Sequence, residues 1–124
     1  MDGAPRTLKK RSQFLEAAAK GKKAFARSLL LQALPVEGSK TLTDADASSL
    51  LVGFTTSKKL GNAVMRNRIR RRLRAAVAHI LPRHAAPGYA YVVIGRQGSQ
   101  DVPFTHITDD LLWALKKTSC LRRS

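Results

Sequence analysis

Between Asn62 and Leu81 the apolar residues Met65, Ile69, Leu73, Ala76, Val77 and Ile80 recur every three or four positions, which confines the stretch to a helix with one buried stripe. On a wheel at about 100° per residue, Asn67, Arg68, Arg70, Arg71 and Arg74 fall opposite that stripe, and Arg66 and Arg72 flank it. Six of the nine residues from Arg66 to Arg74 are arginine and none is acidic. Such a helix can bury one side only; the other must stay in water or meet a polyanion. Arginine offers a planar fork of donors that fits phosphate oxygens and stacks on bases, so the ridge points to nucleic acid.

The period changes on both sides of this helix, which is expected to stop at about Leu81, ahead of Pro82. Leu50 to Ser57 alternates as a strand, with Leu50, Val52 and Phe54 on one face and Leu51 and Gly53 on the other. Lys58-Lys59-Leu60-Gly61 makes the turn. Pro87-Gly88 leads into Tyr89 to Gly95, an apolar run suited to a strand covered on both faces. Strand, helix, strand in that order implies a parallel crossover.

Upstream, Ser12 can cap a short helix through Lys20, with Gly21 as a left-handed stop. Ala24 to Leu34 reads as strand, ended by Pro35, with an irregular early piece over Lys23 to Ala26. A hairpin between this strand and Leu50 to Ser57 is the simplest pairing. The acidic, small-residue segment Val36 to Ser49 reads as a loop. Pro103 to Lys117 carries Phe104, Ile107, Leu111, Leu112 and Leu115 at helical spacing, with Asp101, Asp109 and Asp110 early and Lys116 and Lys117 late, as the macrodipole favours.

A chain of 124 residues supports one domain, 1–124, with short flexible tails at about 1–7 and 119–124. The formal charge is +15 and no Asp or Glu occurs between Ala47 and Gln100, so an acidic partner is expected. A single cysteine, Cys120, excludes an internal disulfide and suits a reducing cytoplasm. No segment approaches the roughly 20 apolar residues of a membrane span. The basic helix also lacks the Trp and Phe of interfacial helices.

The run from Ser57 through Lys58, Lys59, Leu60, Gly61, Asn62, Ala63, Val64, Met65 and Arg66-Asn67-Arg68 to Arg74 resembles the signature of the bacterial ribonuclease P protein subunit. Leu8-Lys9-Lys10-Arg11-Ser12-Gln13-Phe14, Pro87-Gly88-Tyr89 and Val92-Val93-Ile94-Gly95-Arg96 look like the same family, so the resemblance spans about residues 8–118. It implies an α+β fold, an α/β sandwich of order helix, strands, helix, strand, helix. One central, mostly antiparallel sheet of about four strands would carry a left-handed parallel crossover around the basic helix.

The resemblance also implies a role beside a catalytic RNA that removes the 5′ leader of precursor tRNA. The partners are then ribonuclease P RNA and precursor tRNA, with no membrane and no small-molecule substrate. Mg²⁺ is held mainly by RNA, and the protein supplies no catalytic group and no metal ligand. Lys58, Lys59, Asn62, Arg66, Asn67, Arg68, Arg70, Arg71 and Arg74 would bind the catalytic RNA, with Asn67 able to recognise a base edge or ribose hydroxyl. A cleft with Lys10, Arg11, Phe14, Leu30 and Gln32 would hold the leader. Where many members carry further aromatics, this chain has Ala18 and Gln32, which shifts leader binding from stacking towards charge.

Other readings are weaker on the residues. Phe14 alone would suit a core position as well as a stacking platform. His79, His84 and His106 suggest a self-sufficient nuclease, but no third group fixes a tautomer and the spacing crosses Pro82. A ribosomal or other structural RNA-binding protein is the main alternative function.

Overall fold

The computed structural model describes residues 5–122. In chain order the elements are β1 (Arg6–Thr7), α1 (Arg11–Lys20), β2 (Lys22–Phe25), β3 (Leu29–Pro35), β4 (Leu51–Thr55), α2 (Ala63–His84), β5 (Tyr89–Gly95) and α3 (Phe104–Lys117). They build one mixed sheet of five strands in the order β1-β4-β5-β3-β2. β4 lies parallel to β1 and to β5, whereas β3 is antiparallel to β5 and β2. Among the described residues no helix is long and apolar enough to cross a membrane.

Helices cover the two sheet faces unequally. On one face Leu29, Leu31, Ala33, Val52, Tyr91 and Val93 meet Ile69, Leu73 and Val77 of α2 and Ile107, Leu111 and Leu115 of α3, forming the larger core. On the other, Leu34, Leu51, Ala90 and Val92 pack under α1, with Ala17 buried and Phe14 partly covered. Asp110 of α3 accepts from the amide and hydroxyl of Ser28 at 2.9 and 2.6 Å, which pins α3 to the β2–β3 turn.

Several expectations from sequence need correction. β4 does not form a hairpin with β3; β5 lies between them. The apolar run Tyr89–Gly95 has two covered faces and two sheet neighbours to satisfy, so it takes the central place. The fifth strand is β1, whose two residues are too short to leave a periodic signal. Arg6 and Thr7 thus pair with Leu51 and Val52, and at the other end Leu121 bridges to Ala85. Both spots fall in the stretches expected as tails; residues 1–4 and 123–124 lie outside the described residues.

α1 begins at Arg11, with Lys10 in the cap position and no side-chain cap, so Ser12 is inside the helix. Gly21 stops it in extended backbone (φ −68°), not left-handed, because β2 starts at the next residue. A Cβ there would sit 2.5 Å from the Ala17 carbonyl oxygen, so close approach is what calls for glycine. α2 continues through Pro82 to His84. Proline in the last turn loses only its own N–H bond, and the Ala85 amide still reaches the Leu81 carbonyl at 3.0 Å. The loop at 36–49 contains a 3-10 turn over Asp44–Ser48, entered through a capping box of Thr43 and Asp46.

Candidate nucleic-acid interface

The basic ridge rests on how α2 starts. Gly61 has φ +129°, a conformation that L side chains rarely adopt, and it aims the chain from Lys58–Leu60 into the helix. Asn62 caps α2, its Oδ1 accepting from the Met65 amide at 2.9 Å. The oxygen of Asn62 is therefore engaged by the helix, while the residue stays exposed. Lys58 and Lys59 are exposed beside it.

Ile69, Leu73, Ala76, Val77 and Ile80 are buried, and Asn67, Arg68, Arg71 and Arg74 stand exposed on the opposite side. Arg70, half-buried, donates to Asn67 Oδ1 at 2.9 Å and to Thr56 Oγ1 at 2.6 Å. Asn67 thus spends one lone pair of its oxygen on Arg70 and keeps the other, with its two amide donors, on the exposed face. Arg72 and Arg68 both donate to the Gln100 carbonyl, at 2.7 and 3.3 Å, and Arg72 also reaches the Val102 carbonyl. Arg72 thus holds the segment before α3. Every one of these hydrogen bonds ends on a neutral oxygen, so the positive charge of the ridge is not neutralised by them. Nε of Arg66 is buried without a partner. Asn67, Arg70, Arg71 and Arg74 line an open hollow of about 300 Å³.

The second part of the site lies on the α1 face of the sheet. Strand register places Phe25, Leu30, Ile94 and Thr55 side by side across β2, β3, β5 and β4. α1 does not cover this row: Phe25 is 62% exposed, and Leu30, Ile94 and Thr55 are partly open. The adjacent row is Lys23, Gln32, Val92 and Gly53. The Phe14 ring lies on Gly53 so closely that a Cβ would come within 2.5 Å of it. Phe14 therefore forms the edge of the small core and the wall of the open strip at once.

Arg11, Phe14 and Ala18 fall on one flank of α1, with Arg11 and Ala18 exposed. Gln32 is only 6% exposed and offers the strip little. Lys10 lies apart, in a polar hollow with Lys9, Gln13, Thr41, Thr43 and Asp46. Phe25 is the aromatic that sequence reasoning missed; its signal was the short turn after it, which sets it opposite Leu30.

Glu16, on the buried side of α1, ties the 36–49 segment down. Its carboxylate accepts from Ser39 Oγ at 2.7 Å, the Lys40 amide at 2.8 Å, and the Thr41 amide and hydroxyl at 3.1 and 2.5 Å. These donors, the two hydroxyls first, hold its pKa down at about 2. His79, His84 and His106 are exposed and scattered over α2 and α3.

The two surfaces meet at the end of β4. Thr55 closes the open row and Thr56, the next residue, receives Arg70 from the ridge.

Comparison with known proteins shows the family and the fold. The family described as Ribonuclease P matches residues 3–119. The ribonuclease P protein component of Paramagnetospirillum magneticum is 51% identical over 117 residues, covering 94% of this chain and 85% of the relative. That of Ruegeria pomeroyi is 44% identical over 111 residues, covering 89% and 83%. Among solved structures, the Staphylococcus aureus RNase P protein superposes with a TM-score of 0.72 at 26% identity, over 94% of this chain and 97% of that one. The Thermotoga maritima RNase P protein shares the fold, with a TM-score of 0.70 over 90% and 96%.

Proposed function

The chain belongs to the ribonuclease P protein family, a component of an endoribonuclease complex, and from that premise we propose how it serves tRNA 5′-end processing. The ridge on α2 grips the catalytic RNA. Arg66, Arg68, Arg70, Arg71 and Arg74 meet phosphates, Asn67 donates to a base edge or ribose hydroxyl, and Lys58, Lys59 and Asn62 add contacts at the helix start. The strip over Phe25, Leu30, Ile94 and Thr55, walled by Phe14 and Arg11, takes the single-stranded 5′ leader of precursor tRNA by stacking and charge.

The observation that carries this reading is the junction of the two surfaces at Thr55 and Thr56, bridged by Arg70. A substrate whose leader lies on the strip has its following nucleotides directed to the RNA held on the ridge. Bond cleavage is assigned to the RNA, whose phosphates hold Mg²⁺; the protein binds and positions, and works in the cytoplasm. No protein side chain moves a proton in this scheme.

Reconstitution tests it. The purified chain, added to a bacterial ribonuclease P RNA and precursor tRNA at low Mg²⁺, should restore cleavage at the mature 5′ end. Lack of stimulation would favour a structural RNA-binding protein instead, and cleavage by the protein without RNA would reverse the assignment of catalysis.

A further inference from the structure

A hollow of about 350 Å³ opens on the far side of the ridge, between α2 and the β1–β4 edge of the sheet. Val52 and Phe54 of β4 form its floor, Val77 and Ala78 its helical wall, and Pro5 and Thr7 its outer rim. Arg74 lies across the mouth, its guanidinium carbon 5.6 Å from the centre of the Phe54 ring. The same arginine lines the open hollow shared with Asn67, Arg70 and Arg71, so an apolar cavity and the phosphate-binding row have one wall in common.

The rim carries unused polar groups. The amides of Arg6 and Leu8 donate to the Leu50 and Val52 carbonyls, both at 2.8 Å. Backbone alternation then turns the N–H and C=O of Thr7 away from β4, to the open edge of the sheet.

We infer that this hollow takes one unstacked nucleobase of the bound RNA. The inference rests on the proposed binding of the catalytic RNA to α2 and names a contact within it. Three features fit a base and not a bare phosphate. The walls are apolar and bury a flat ring favourably. Arg74 and Phe54 present a planar cation and an aromatic face at the mouth, and both stack on bases. The outward N–H and C=O of Thr7 can meet the hydrogen-bonding edge of a base that has left its helix. The volume lies at the lower end of the range for small-ligand sites, about 300 to 1,000 Å³. Phosphates on either side of the extruded base fall on Arg71 and Arg70, which keeps the strand in register along the ridge.

Equilibrium binding of the full chain to a bacterial ribonuclease P RNA transcript, at two salt concentrations, tests the assignment. Ala78 is exposed, so Ala78→Phe fills the hollow without entering the core, and a retained thermal midpoint verifies the fold. Binding should weaken by about tenfold or more, the worth of a lost stacked base, with an unchanged dependence on salt because no phosphate contact is removed. Phe54→Leu keeps an apolar floor but removes the ring beside Arg74, and should weaken binding severalfold. Unchanged binding by Ala78→Phe overturns the assignment while leaving the RNA reading intact. A shallower salt dependence overturns it too, since the obstruction has then moved the phosphates. If Ala78→Phe weakens binding and Phe54→Leu does not, the RNA merely passes over the helix and the hollow is empty. Failure of the unaltered chain to prefer this transcript over an unrelated RNA of equal length sinks the RNA reading itself.

Discussion

Arg70 and Thr56 are joined by a 2.6 Å hydrogen bond between a guanidinium on α2 and a hydroxyl at the end of β4. This bond fixes the guanidinium where the ridge and the open strip of the sheet meet. Thr56→Val keeps the shape and removes the acceptor, so Arg70 gains rotamer freedom. Affinity for the catalytic RNA should fall roughly threefold to tenfold, the worth of one hydrogen bond of about 0.5 to 1.5 kcal/mol. Nitrocellulose filter binding reads the change, and the salt dependence should not move.

Arg71 and Arg72 are neighbours with opposite duties. Arg71 is exposed and lines the open hollow, whereas Arg72 is half-buried and spent on the Gln100 and Val102 carbonyls. Arg71→Ala should lower the slope of log affinity against log salt by about one, with the thermal midpoint unchanged. Arg72→Ala should lower the midpoint by several degrees, as losing charge-assisted bonds costs about 1.5 to 3 kcal/mol each, and alter the slope less.

Phe25 is the most open ring on the strip proposed to take the leader. Phe25→Ala removes a stacking surface from a side chain that the core does not use. Affinity for precursor tRNA should drop by about fivefold, equivalent to the lower end of 1 to 3 kcal/mol per stacked base, while affinity for mature tRNA stays the same. Parallel titrations of the reconstituted holoenzyme with the two tRNA forms measure the ratio.

Gly53 accommodates the Phe14 ring. A Cβ at residue 53 would lie 2.5 and 2.6 Å from two ring carbons and 3.2 Å from Leu8 Cβ, so Gly53→Ala must push the ring off β4. Both stability and leader discrimination should fall together, the first by about 1 to 3 kcal/mol as for other overpacked sites. Urea unfolding and the same tRNA ratio check the pair of effects.

Glu16 makes the protein sensitive to acid. Its folded pKa of about 2 lies below the ordinary glutamate value of 4.5, so between these values the unfolded chain binds more protons. The stabilisation is complete above about pH 4.5 and is lost as pH falls towards 2. Glu16→Gln should lower the thermal midpoint at pH 6, and the gap between variant and parent should narrow steadily below about pH 4.5 and close only once the pH reaches about 2 or less. Calorimetric scans at several pH values give both midpoints.

Elements with a strong local period were legible in the sequence. The buried stripe of α2, the unbroken apolar run of β5 and the spacing in α3 each fix a shape before any partner is known. Pairing order was not, because β4 alternates in the same way whether its neighbour is β3 or β5. Only the double coverage of Tyr89–Gly95 identifies the central strand. On the ridge, charge pattern located the face but not the division of labour within it. That Arg72 bonds backbone carbonyls near residue 100, and that Asn62 and Asn67 each spend an oxygen lone pair internally, depends on contacts between distant segments. Gln32 stands in the right strand yet under α1, and the role of Phe25 depends on the β2–β3 turn that sets it opposite Leu30.

The outermost strand β2 is four residues long and puts Lys22 and Lys23 on its exposed edge. An unpaired edge next to an open aromatic would otherwise invite a second copy to add its own strand there. A lysine on each face of the strand makes that approach repulsive, so positive charge of the kind that suits a polyanion also guards the sheet's open edge against pairing.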